Sequence, residues 1–199
     1  MKVIGITGTI GSGKSYISSL FANKGIPVID TDEVYHALVD THSETTSEIA
    51  EEFGATVLNS DGSLNRGALA EIVFSDKSKL KRLNEITHSR IKEVVLERLN
   101  VFEKNGETAV VLEVPLMFES GFDKLCDEIV CVVASEQTRV QRLMSRNGFS
   151  EDEAKKRVKN QKDNDFYIEK STKIVYNETH EAANTRFTEI FGEILGIKA

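Results

Sequence analysis

The sequence predicts an α/β fold in which a parallel sheet lies between layers of helices. Short apolar segments alternate with longer amphipathic segments, and a glycine-rich loop directly follows the first apolar segment. This alternation is typical of a parallel sheet wrapped by helices, because each step between parallel strands needs a long crossover connection. The length of 199 residues suits one domain that carries insertions.

Five apolar segments are predicted as strands. The first, residues 3–7, leads straight into the glycine-rich loop, and the third, residues 109–114, is apolar enough to be a buried parallel strand. The other strands are predicted at residues 26–30, 128–133 and 173–177. Helices are predicted at residues 14–23, which Gly25 closes, and at 137–146, 151–163 and 181–195.

Two helical segments interrupt this pattern. Almost eighty residues separate the second and third strands, and their apolar residues recur at three- and four-residue steps. A direct crossover needs only about a dozen residues, so we predict a helical substrate-binding insertion at about 33–107. A helix-turn-helix at about 137–170, with Ser150 as the N-cap of its second helix, is predicted to be a mobile lid.

Composition indicates a cytoplasmic protein and a small ligand. No apolar run approaches the roughly 20 residues that span a bilayer, and the first residues turn polar too soon for a signal peptide. The net charge of −7 argues against a nucleic-acid or anionic-membrane surface, although local cations can still bind phosphates. Cys126 and Cys131 are expected to be reduced thiols near the core, and the four histidines lack metal-ligand spacing.

The glycine-rich loop carries the strongest functional signal in the sequence. It matches the pattern G-x-x-x-x-G-K-[ST] at every position. Glycines let successive backbone N–H groups turn toward phosphate oxygens, and the following helix adds the positive end of its dipole. Lys14 is expected to reach the β- and γ-phosphates, and Ser15 to bind Mg²⁺. The matching residues are Gly8, Thr9, Ile10, Gly11, Ser12, Gly13, Lys14 and Ser15.

A phosphate-binding loop of this kind occurs in several classes of protein. A GTPase would also carry D-x-x-G and N-K-x-D, and neither follows here, since Asn23-Lys24 continues as Gly25-Ile26. A remodelling ATPase normally needs a longer chain. The length and the motif together favour a P-loop kinase of a small molecule.

Acidic residues end two of the predicted strands, where substrates of an α/β protein bind. Asp30 and Asp32 follow the second strand, and either carboxylate can orient a hydroxyl, accept its proton or hold Mg²⁺ through water. The alternative for Asp32 is a helix N-cap. Glu113, at the end of the third strand, is either a second metal-side acid or a buried acid satisfied by backbone groups.

Three arginines lie on one face of the first lid helix. Arg139, Arg142 and Arg146 follow one another at three- and four-residue steps. Guanidinium groups in this position would neutralise the transferring phosphate when the lid closes. The alternative is a solvated basic face that pairs with the acids at 151–153.

Several segments together resemble the dephospho-CoA kinase family over nearly the whole chain. Residues 114–119, Val-Pro-Leu-Met-Phe-Glu, resemble the family's Val-Pro-Leu-Leu-Phe-Glu, and residues 61–66, Asp-Gly-Ser-Leu-Asn-Arg, resemble its Asp-Gly-x-x-x-Arg. Both are more specific than the phosphate loop. The phosphate loop is followed by Asp30-Thr31-Asp32, where the family has Asp-Ala-Asp, so these two segments stand in the same order as in the family. Further matches are Phe53-Gly54, Leu69, Phe74, Thr87-His88-Ser89-Arg90-Ile91, Arg142, Arg146, Gln161 and Asn177.

The resemblance implies transfer of a phosphoryl group from ATP to the ribose 3′-hydroxyl of dephospho-CoA, the last step of coenzyme A biosynthesis, with Mg²⁺ as the metal. It implies catalytic roles for Asp32, Lys14 and Arg142. It implies ATP contacts from the phosphate loop together with Arg142, Arg146 and Asn177. Acceptor contacts are implied for Thr7, Asp32, Arg66, His88, Arg90, Pro115, Leu116, Phe118 and Glu119.

The chain also departs from the family pattern. Tyr35-His36 stands where an Ala-Arg pair is usual, Ser89 replaces a proline, and Tyr167 stands where a basic residue is common. Ser171-Thr172 replaces an Ala-Asp pair. Two alternative functions therefore stay open: another metabolite kinase, of the shikimate or nucleoside type, and an ATP-binding regulatory protein that transfers nothing.

Overall fold

The computed structural model describes residues 1–39 and 43–196. Its centre is a five-stranded sheet in the order β2-β3-β1-β4-β5, in which β1 pairs in parallel with β3 and β4, and β4 with β5. Each predicted strand is present to within two residues of its expected ends. The strands are β1 Lys2–Thr7, β2 Val28–Asp30, β3 Ala109–Glu113, β4 Glu128–Val133 and β5 Lys173–Tyr176.

The second strand is shorter than its apolar pattern suggests. It begins at Val28 rather than at residue 26, because Pro27 has no N–H group to donate to a neighbouring strand. The carbonyl oxygen of Pro27 still accepts a hydrogen bond of 2.8 Å from the N–H of Val111. The segment before β2 therefore lies along β3 without being part of the regular ladder.

Helices connect the strands at the predicted places, with one correction. The predicted helix at 151–163 ends at Lys159, and a short separate helix follows, because the side chain of Asp163 accepts a hydrogen bond from the N–H of Phe166 and caps a new start. The helices are α1 Lys14–Ala22, α2 Thr31–Leu38, α3 Glu44–Phe53, α4 Arg66–Phe74, α5 Lys77–Lys104, α6 Glu136–Asn147, α7 Glu151–Lys159, α8 Asn164–Ile168 and α9 His180–Leu195. Single 3₁₀ turns lie at Ala55–Val57 and Phe122–Leu125.

Successive residues of β4 pack on opposite faces of the sheet, as the two-residue period of a strand requires. Val130 and Val132 pack with side chains of α1 and α9, where Phe21 and Phe187 meet edge to face with their ring centres 4.9 Å apart. Cys131 and Val133 pack on the other face with Tyr167 and its neighbours. Complete burial of side chains of this size stabilises the fold by about 1.5–3 kcal/mol each.

The chain divides into two compact units. The first comprises Met1–Ile29 and the chain from Phe102 onward, and it contains the β1–β3–β4–β5 core and helices α1 and α6–α9. The second comprises Asp30–Val101 and has an apolar cluster of its own, formed by Val39, Ile49, Val57, Leu64, Leu69, Val73 and Ile86. Within residues 1–39 and 43–196, the helices are all too short or too polar to span a membrane.

Candidate active site

The phosphate-binding loop connects β1 to α1 in the first unit. Gly13, directly before α1, has a φ of 94°, which lies in the left-handed region that favours glycine. A Cβ atom at Gly13 would collide with the side-chain nitrogen of Asn177. That nitrogen donates a hydrogen bond of 2.8 Å to the carbonyl oxygen of Ser12. The last glycine of the motif is therefore required both by the turn and by the contact with the end of β5.

Arg142 holds the loop from the side of α6. Its Nη1 donates to the carbonyl oxygens of Gly11 at 3.2 Å and Ser12 at 3.1 Å, and its Nη2 donates to the carbonyl oxygen of Asn177 at 2.8 Å. When loop N–H groups turn toward a phosphate, the carbonyl groups face away and need other donors. Arg142, predicted to be catalytic and to bind ATP, here connects the loop to the end of β5.

Lys14 lies against the same loop. Its Nζ donates to the carbonyl oxygens of Gly8 at 3.0 Å and Thr9 at 3.3 Å. Two further contacts come from the segment after α7: the N–H of Ile10 donates to Gln161 Oε1 at 2.6 Å, and Thr9 Oγ1 donates to Asn164 Oδ1 at 3.1 Å. The sequence pattern gave no signal for Asn164, which lies 155 positions from its partner.

A buried carboxylate lies beside the predicted metal ligand. Glu113 ends β3 opposite Ile6 of β1 and is 4% exposed. Its Oε1 accepts a hydrogen bond of 2.8 Å from Ser15 Oγ, and its Oε2 accepts one of 2.6 Å from Ser18 Oγ. Two hydroxyl groups of α1, rather than the expected backbone groups, therefore hold this acid next to the side chain of Ser15.

Buried polar atoms without a hydrogen-bond partner gather at this loop. Roughly nine in ten buried polar groups of proteins are hydrogen-bonded, so each exception needs an explanation. In the part of the chain that the structure describes, every such side-chain atom belongs to the loop, to β1 before it, to α6 or to the residue after β5. The atoms are Thr7 Oγ1, Ser12 Oγ, Arg139 Nε, Arg139 Nη1 and Asn177 Oδ1.

A cavity of about 720 Å³ adjoins the loop within the first unit. Small-molecule sites typically enclose about 300–1,000 Å³. One wall is aromatic, because the rings of Tyr16 and His180 stack with their centres 4.0 Å apart and an angle of 11° between their planes. Arg146 lies at the rim, exposed, with its Nε donating to Asn147 Oδ1 at 3.0 Å. The cavity is also lined by Gly11, Gly13, Lys14, Ser15, Arg142 and Asn177.

Arg139 and Arg142 of α6 do not belong to a solvated basic face, the alternative interpretation of the arginines at this helix. Arg139 is only 6% exposed, and Arg142 is bonded to the loop. The acids that follow have other partners, since Glu151 pairs with Lys155 at 2.6 Å and Glu153 completes a capping box with Ser150. The prediction of Ser150 as the N-cap of α7 is confirmed.

In the second unit, the structure reverses one assignment for the acidic pair. Asp30, not Asp32, is the N-cap of α2, because its Oδ1 accepts a hydrogen bond of 2.8 Å from the N–H of Asp32. β2 ends at Asp30 and α2 begins at Thr31, so the two carboxylates do not share a strand face. The side chain of Asp32 is exposed in the first turn of the helix.

The predicted acceptor cations have different surroundings. Arg66 Nη2 lies 2.9 Å from His36 Nδ1, and its guanidinium carbon lies 6.0 Å from the centre of the Tyr35 ring. Arg90 instead forms ion pairs with Glu48 at 3.4 Å and Glu93 at 3.2 Å. Burial lowers the pKa of His88, which is half-buried on α5. Tyr35 and His36, which stand where the family usually has an Ala-Arg pair, therefore both lie next to Arg66.

The segment after β3 contains the remaining predicted acceptor residues. Leu116 is exposed and Pro115 is partly exposed, whereas Phe118 packs against the rings of Phe166 and Tyr167. Glu119 Oε1 accepts a hydrogen bond of 3.0 Å from the hydroxyl group of Tyr167. Burial, followed by the charge of Glu119, raises the pKa of Tyr167, so this hydroxyl keeps its proton and donates.

The two cysteines are free thiols. Cys131 is buried and Cys126 is partly buried. Burial raises the pKa of each thiol to about 12, which keeps both protonated and unreactive. The expectation of thiols in or near the core is confirmed.

The sheet, the phosphate loop and the adjoining cavity together define a P-loop kinase of a small molecule. A family model described as dephospho-CoA kinase matches residues 2–183. The chain belongs to the dephospho-CoA kinase family, and thus to the transferases that use ATP.

Named relatives and solved structures agree with this assignment. Dephospho-CoA kinase from Listeria monocytogenes serovar 1/2a is 40% identical over 176 residues, and that from Bacillus anthracis is 38% identical over 176 residues, with 88% of each chain covered in both cases. The structure is similar to TT1252 from Thermus thermophilus, with a TM-score of 0.83, 31% identity and coverage of 96% and 97% of the two chains. It is also similar to dephospho-CoA kinase from Campylobacter jejuni, with a TM-score of 0.72, 26% identity and 98% coverage of both.

Shikimate kinase from Bacteroides thetaiotaomicron, at 17% identity, a TM-score of 0.52 and 98% coverage of both chains, shares the fold alone. The predicted P-loop kinase fold is confirmed.

Proposed function

We propose that the protein transfers the γ-phosphoryl group of ATP to the ribose 3′-hydroxyl of dephospho-CoA, giving coenzyme A and ADP, the last step of coenzyme A biosynthesis. The observation that supports it most is the intact phosphate loop, which Arg142 holds and beside which buried polar atoms lack partners among residues 1–39 and 43–196. The hydroxyl groups of Thr7 and Ser12 are donors of the kind that phosphate oxygens accept, directly or through bridging waters, whereas Asn177 Oδ1 can only accept.

The loop and Lys14 would bind the triphosphate. Backbone N–H groups of the loop and the start of α1 face the phosphate oxygens in motifs of this kind. The Nζ of Lys14 would exchange its bonds to the carbonyl oxygens of Gly8 and Thr9 for bonds to the β- and γ-phosphates. The positive charge at this point stabilises the negative charge that shifts toward the leaving ADP.

The oxygen atoms beside the loop fit Mg²⁺. Ser15 Oγ and the Glu113 carboxylate lie 2.8 Å apart, and hard oxygen ligands supplied by one carboxylate and by substrate phosphates are what Mg²⁺ usually has in kinases. We propose that Ser15 ligates the ion and that Glu113 contacts it through water, with Asp32 as the alternative acid. When bound, Mg²⁺ neutralises phosphate charge.

Asp32 is the proposed general base. Its carboxylate would accept the proton of the 3′-hydroxyl as that oxygen forms a bond to the γ-phosphorus. The bond from the γ-phosphorus to the β–γ bridging oxygen breaks, and ADP leaves with the electron pair. The capping role of Asp30 supports this choice, because one of its oxygens is already committed to the N–H of Asp32.

The unit Asp30–Val101 is the proposed acceptor-binding part, corresponding to the insertion predicted at about 33–107. Its Arg66 has a histidine and an aromatic ring as neighbours, which leaves its positive charge available for an acceptor phosphate. Residues at about 137–170 are proposed as the lid. The free thiols of Cys126 and Cys131 fit a reducing compartment, and we propose the cytoplasm.

One assay tests the proposal directly. The purified protein is incubated with ATP, Mg²⁺ and dephospho-CoA, and the product is identified by mass spectrometry. We expect coenzyme A and an equal amount of ADP. Parallel reactions with shikimate and with nucleosides measure selectivity. Phosphorylation of one of these, with none of dephospho-CoA, would contradict the proposed acceptor, and binding of ATP without any transfer would support a regulatory protein instead.

A further inference from the structure

The chain between the end of α7 and the start of α8 is bonded to the first half of the phosphate loop. Gln161 Oε1 accepts a hydrogen bond of 2.6 Å from the N–H of Ile10, and Asn164 Oδ1 accepts one of 3.1 Å from Thr9 Oγ1. The second half of the loop has different partners, since Arg142 bonds its carbonyl groups from α6. The two halves of the loop are thus held by different parts of the first unit.

Asn164, the first residue of α8, uses both ends of its side-chain amide. Its Nδ2 donates a hydrogen bond of 3.2 Å to the carbonyl oxygen of Ala134, which directly follows β4. A carbonyl oxygen can only accept, so the amide nitrogen must face Ala134 and the amide oxygen must face Thr9. The hydroxyl group of Thr9 is therefore the donor in its bond to Asn164. One side chain, in one orientation, thus joins the loop to the end of β4.

Thr9 lies at a point of the loop where a small displacement would have consequences. Its side chain is fully buried, and its carbonyl oxygen accepts a hydrogen bond of 3.3 Å from Lys14 Nζ. A Cβ atom at the preceding residue, Gly8, would collide with the carbonyl oxygen of Val132, so the loop backbone packs directly on β4. Asn164 therefore holds a residue that lies between the sheet and the lysine of the motif.

We infer that Asn164 is a positioning residue for phosphoryl transfer: through its bond to Thr9, it holds the first half of the phosphate loop in the shape that binds ATP. Asn164 is not one of the described residues that line the cavity beside the loop, so it acts through Thr9 rather than by contact with the nucleotide. Such positioning matters because a displacement of about 1 Å can lower a rate by roughly 10²-fold. The inference rests on the proposed function, which supplies ATP and the transfer step.

Two substitutions that remove the same hydrogen bond test this role. Asn164→Leu replaces the amide by an apolar group of similar size, and Thr9→Val replaces the hydroxyl group by a methyl group. We expect each to weaken binding of Mg²⁺-ADP, measured by calorimetry, about fivefold or more. Turnover at saturating substrates should fall about tenfold or more, with the KM for dephospho-CoA unchanged. The double variant should lose no more than the weaker of the two single variants, because both changes remove one interaction.

Two further variants show whether the hydrogen bond itself is responsible. Thr9→Ser keeps a hydroxyl group at this position and should recover most of the affinity and turnover that Thr9→Val loses. Asn160→Leu removes an exposed amide directly after α7 and is the matched control, which should change neither quantity. Asn164→Ala repeats the measurements if the leucine variant does not fold.

The measurements separate positioning from a purely structural role. Urea unfolding at a lower concentration in Asn164→Leu, with nucleotide affinity and turnover unchanged, would overturn the inference. Losses in the two single variants that multiply in the double variant would also overturn it, since they would show that Asn164 does not act through Thr9. If the unmodified protein binds Mg²⁺-ADP but transfers nothing to dephospho-CoA, the proposed function fails, and the affinities still decide whether Asn164 positions the loop.

Discussion

The carboxylate of Glu113 accepts a hydrogen bond of 2.8 Å from the hydroxyl group of Ser15, and so joins the end of β3 to the first turn of α1. A second bond, of 2.6 Å from Ser18, fixes the other carboxylate oxygen. Both oxygens of a buried acid are thus oriented by the helix that follows the phosphate loop. This geometry places a negative charge beside the proposed Mg²⁺ ligand.

We predict that Glu113→Gln raises the Mg²⁺ concentration needed for half-maximal activity about tenfold or more. The amide keeps the shape but loses the charge, and hydrogen bonds to a charged group contribute about 1.5–3 kcal/mol. A Mg²⁺ titration at saturating ATP measures the effect, and nucleotide affinity in the presence of a chelator should be unchanged. Glu193→Gln, which removes a surface partner of Lys173, is the control. An unaltered Mg²⁺ requirement would exclude Glu113 from the metal site.

Lys14→Ala should lower turnover by roughly 10²-fold or more, because one donor aimed at developing charge contributes several kcal/mol to the transition state. Steady-state kinetics at saturating substrates measures this loss. The exposed Lys24, in the turn just after α1, provides a control substitution, Lys24→Ala, that should leave turnover unchanged. Activity of Lys14→Ala within about threefold of the unmodified protein would contradict the proposed role of the phosphate loop.

The acceptor side gives a comparison between two arginines. Arg66→Ala should raise the KM for dephospho-CoA and leave that for ATP nearly unchanged, since loss of a contact made equally in the ground state and transition state acts on binding. Arg90→Ala should have a smaller effect, because Glu48 and Glu93 already neutralise its charge. Arg82→Ala, whose side chain pairs with Glu52, is a control in the same unit. If Arg66→Ala changed only the KM for ATP, the unit Asp30–Val101 would have a role other than acceptor binding.

Much of the fold follows from local patterns, whereas several site contacts do not. Strand positions and the phosphate loop depend on neighbouring residues, and the structure has them where the sequence predicted them. Periodicity also placed Arg139, Arg142 and Arg146 on one face of a helix, but it gives only an angle around the helix axis. Arg139 is buried, Arg142 is bonded to the phosphate loop and Arg146 is exposed. These three environments depend on what packs against that face of the helix.

Two further details also depend on contacts that local sequence patterns do not show. Asp30 rather than Asp32 caps α2, because β2 ends at Asp30 and the helix begins at the next residue. Two acids this close together in the sequence do not show where that boundary lies. The hydrogen bond from Tyr167 to Glu119 joins positions 48 residues apart, so a departure from the family pattern at Tyr167 gave no indication of its partner.

Tyr167→Phe should destabilise the protein at neutral pH by about 0.5–1.5 kcal/mol, through loss of the hydrogen bond to Glu119. The pKa of Tyr167 is raised in the folded protein, so its contribution is fully present below the unfolded value of about 10 and is lost as the pH rises above that value. Urea unfolding at pH 7 and above pH 10 should show the difference between the two proteins shrinking at the higher pH. Tyr176→Phe, at an exposed position, is the control. A difference that is independent of pH would contradict this account.

Asp32→Asn should leave ATP affinity unchanged and lower turnover by about 10²- to 10⁴-fold, because the amide preserves the shape of the carboxylate but cannot accept the proton. A transition state with little bond formation to the attacking oxygen would place the loss near the lower limit. Asp30→Asn should lower turnover less than Asp32→Asn does. It should also change stability little, since asparagine caps helices as well as aspartate does. Glu33→Gln, the next exposed acid of α2, controls for the loss of charge. Turnover is measured at saturating substrates, with ATP affinity determined separately. A larger loss in Asp30→Asn would exchange the two roles, and near-normal turnover in both variants would leave Glu113 as the candidate base.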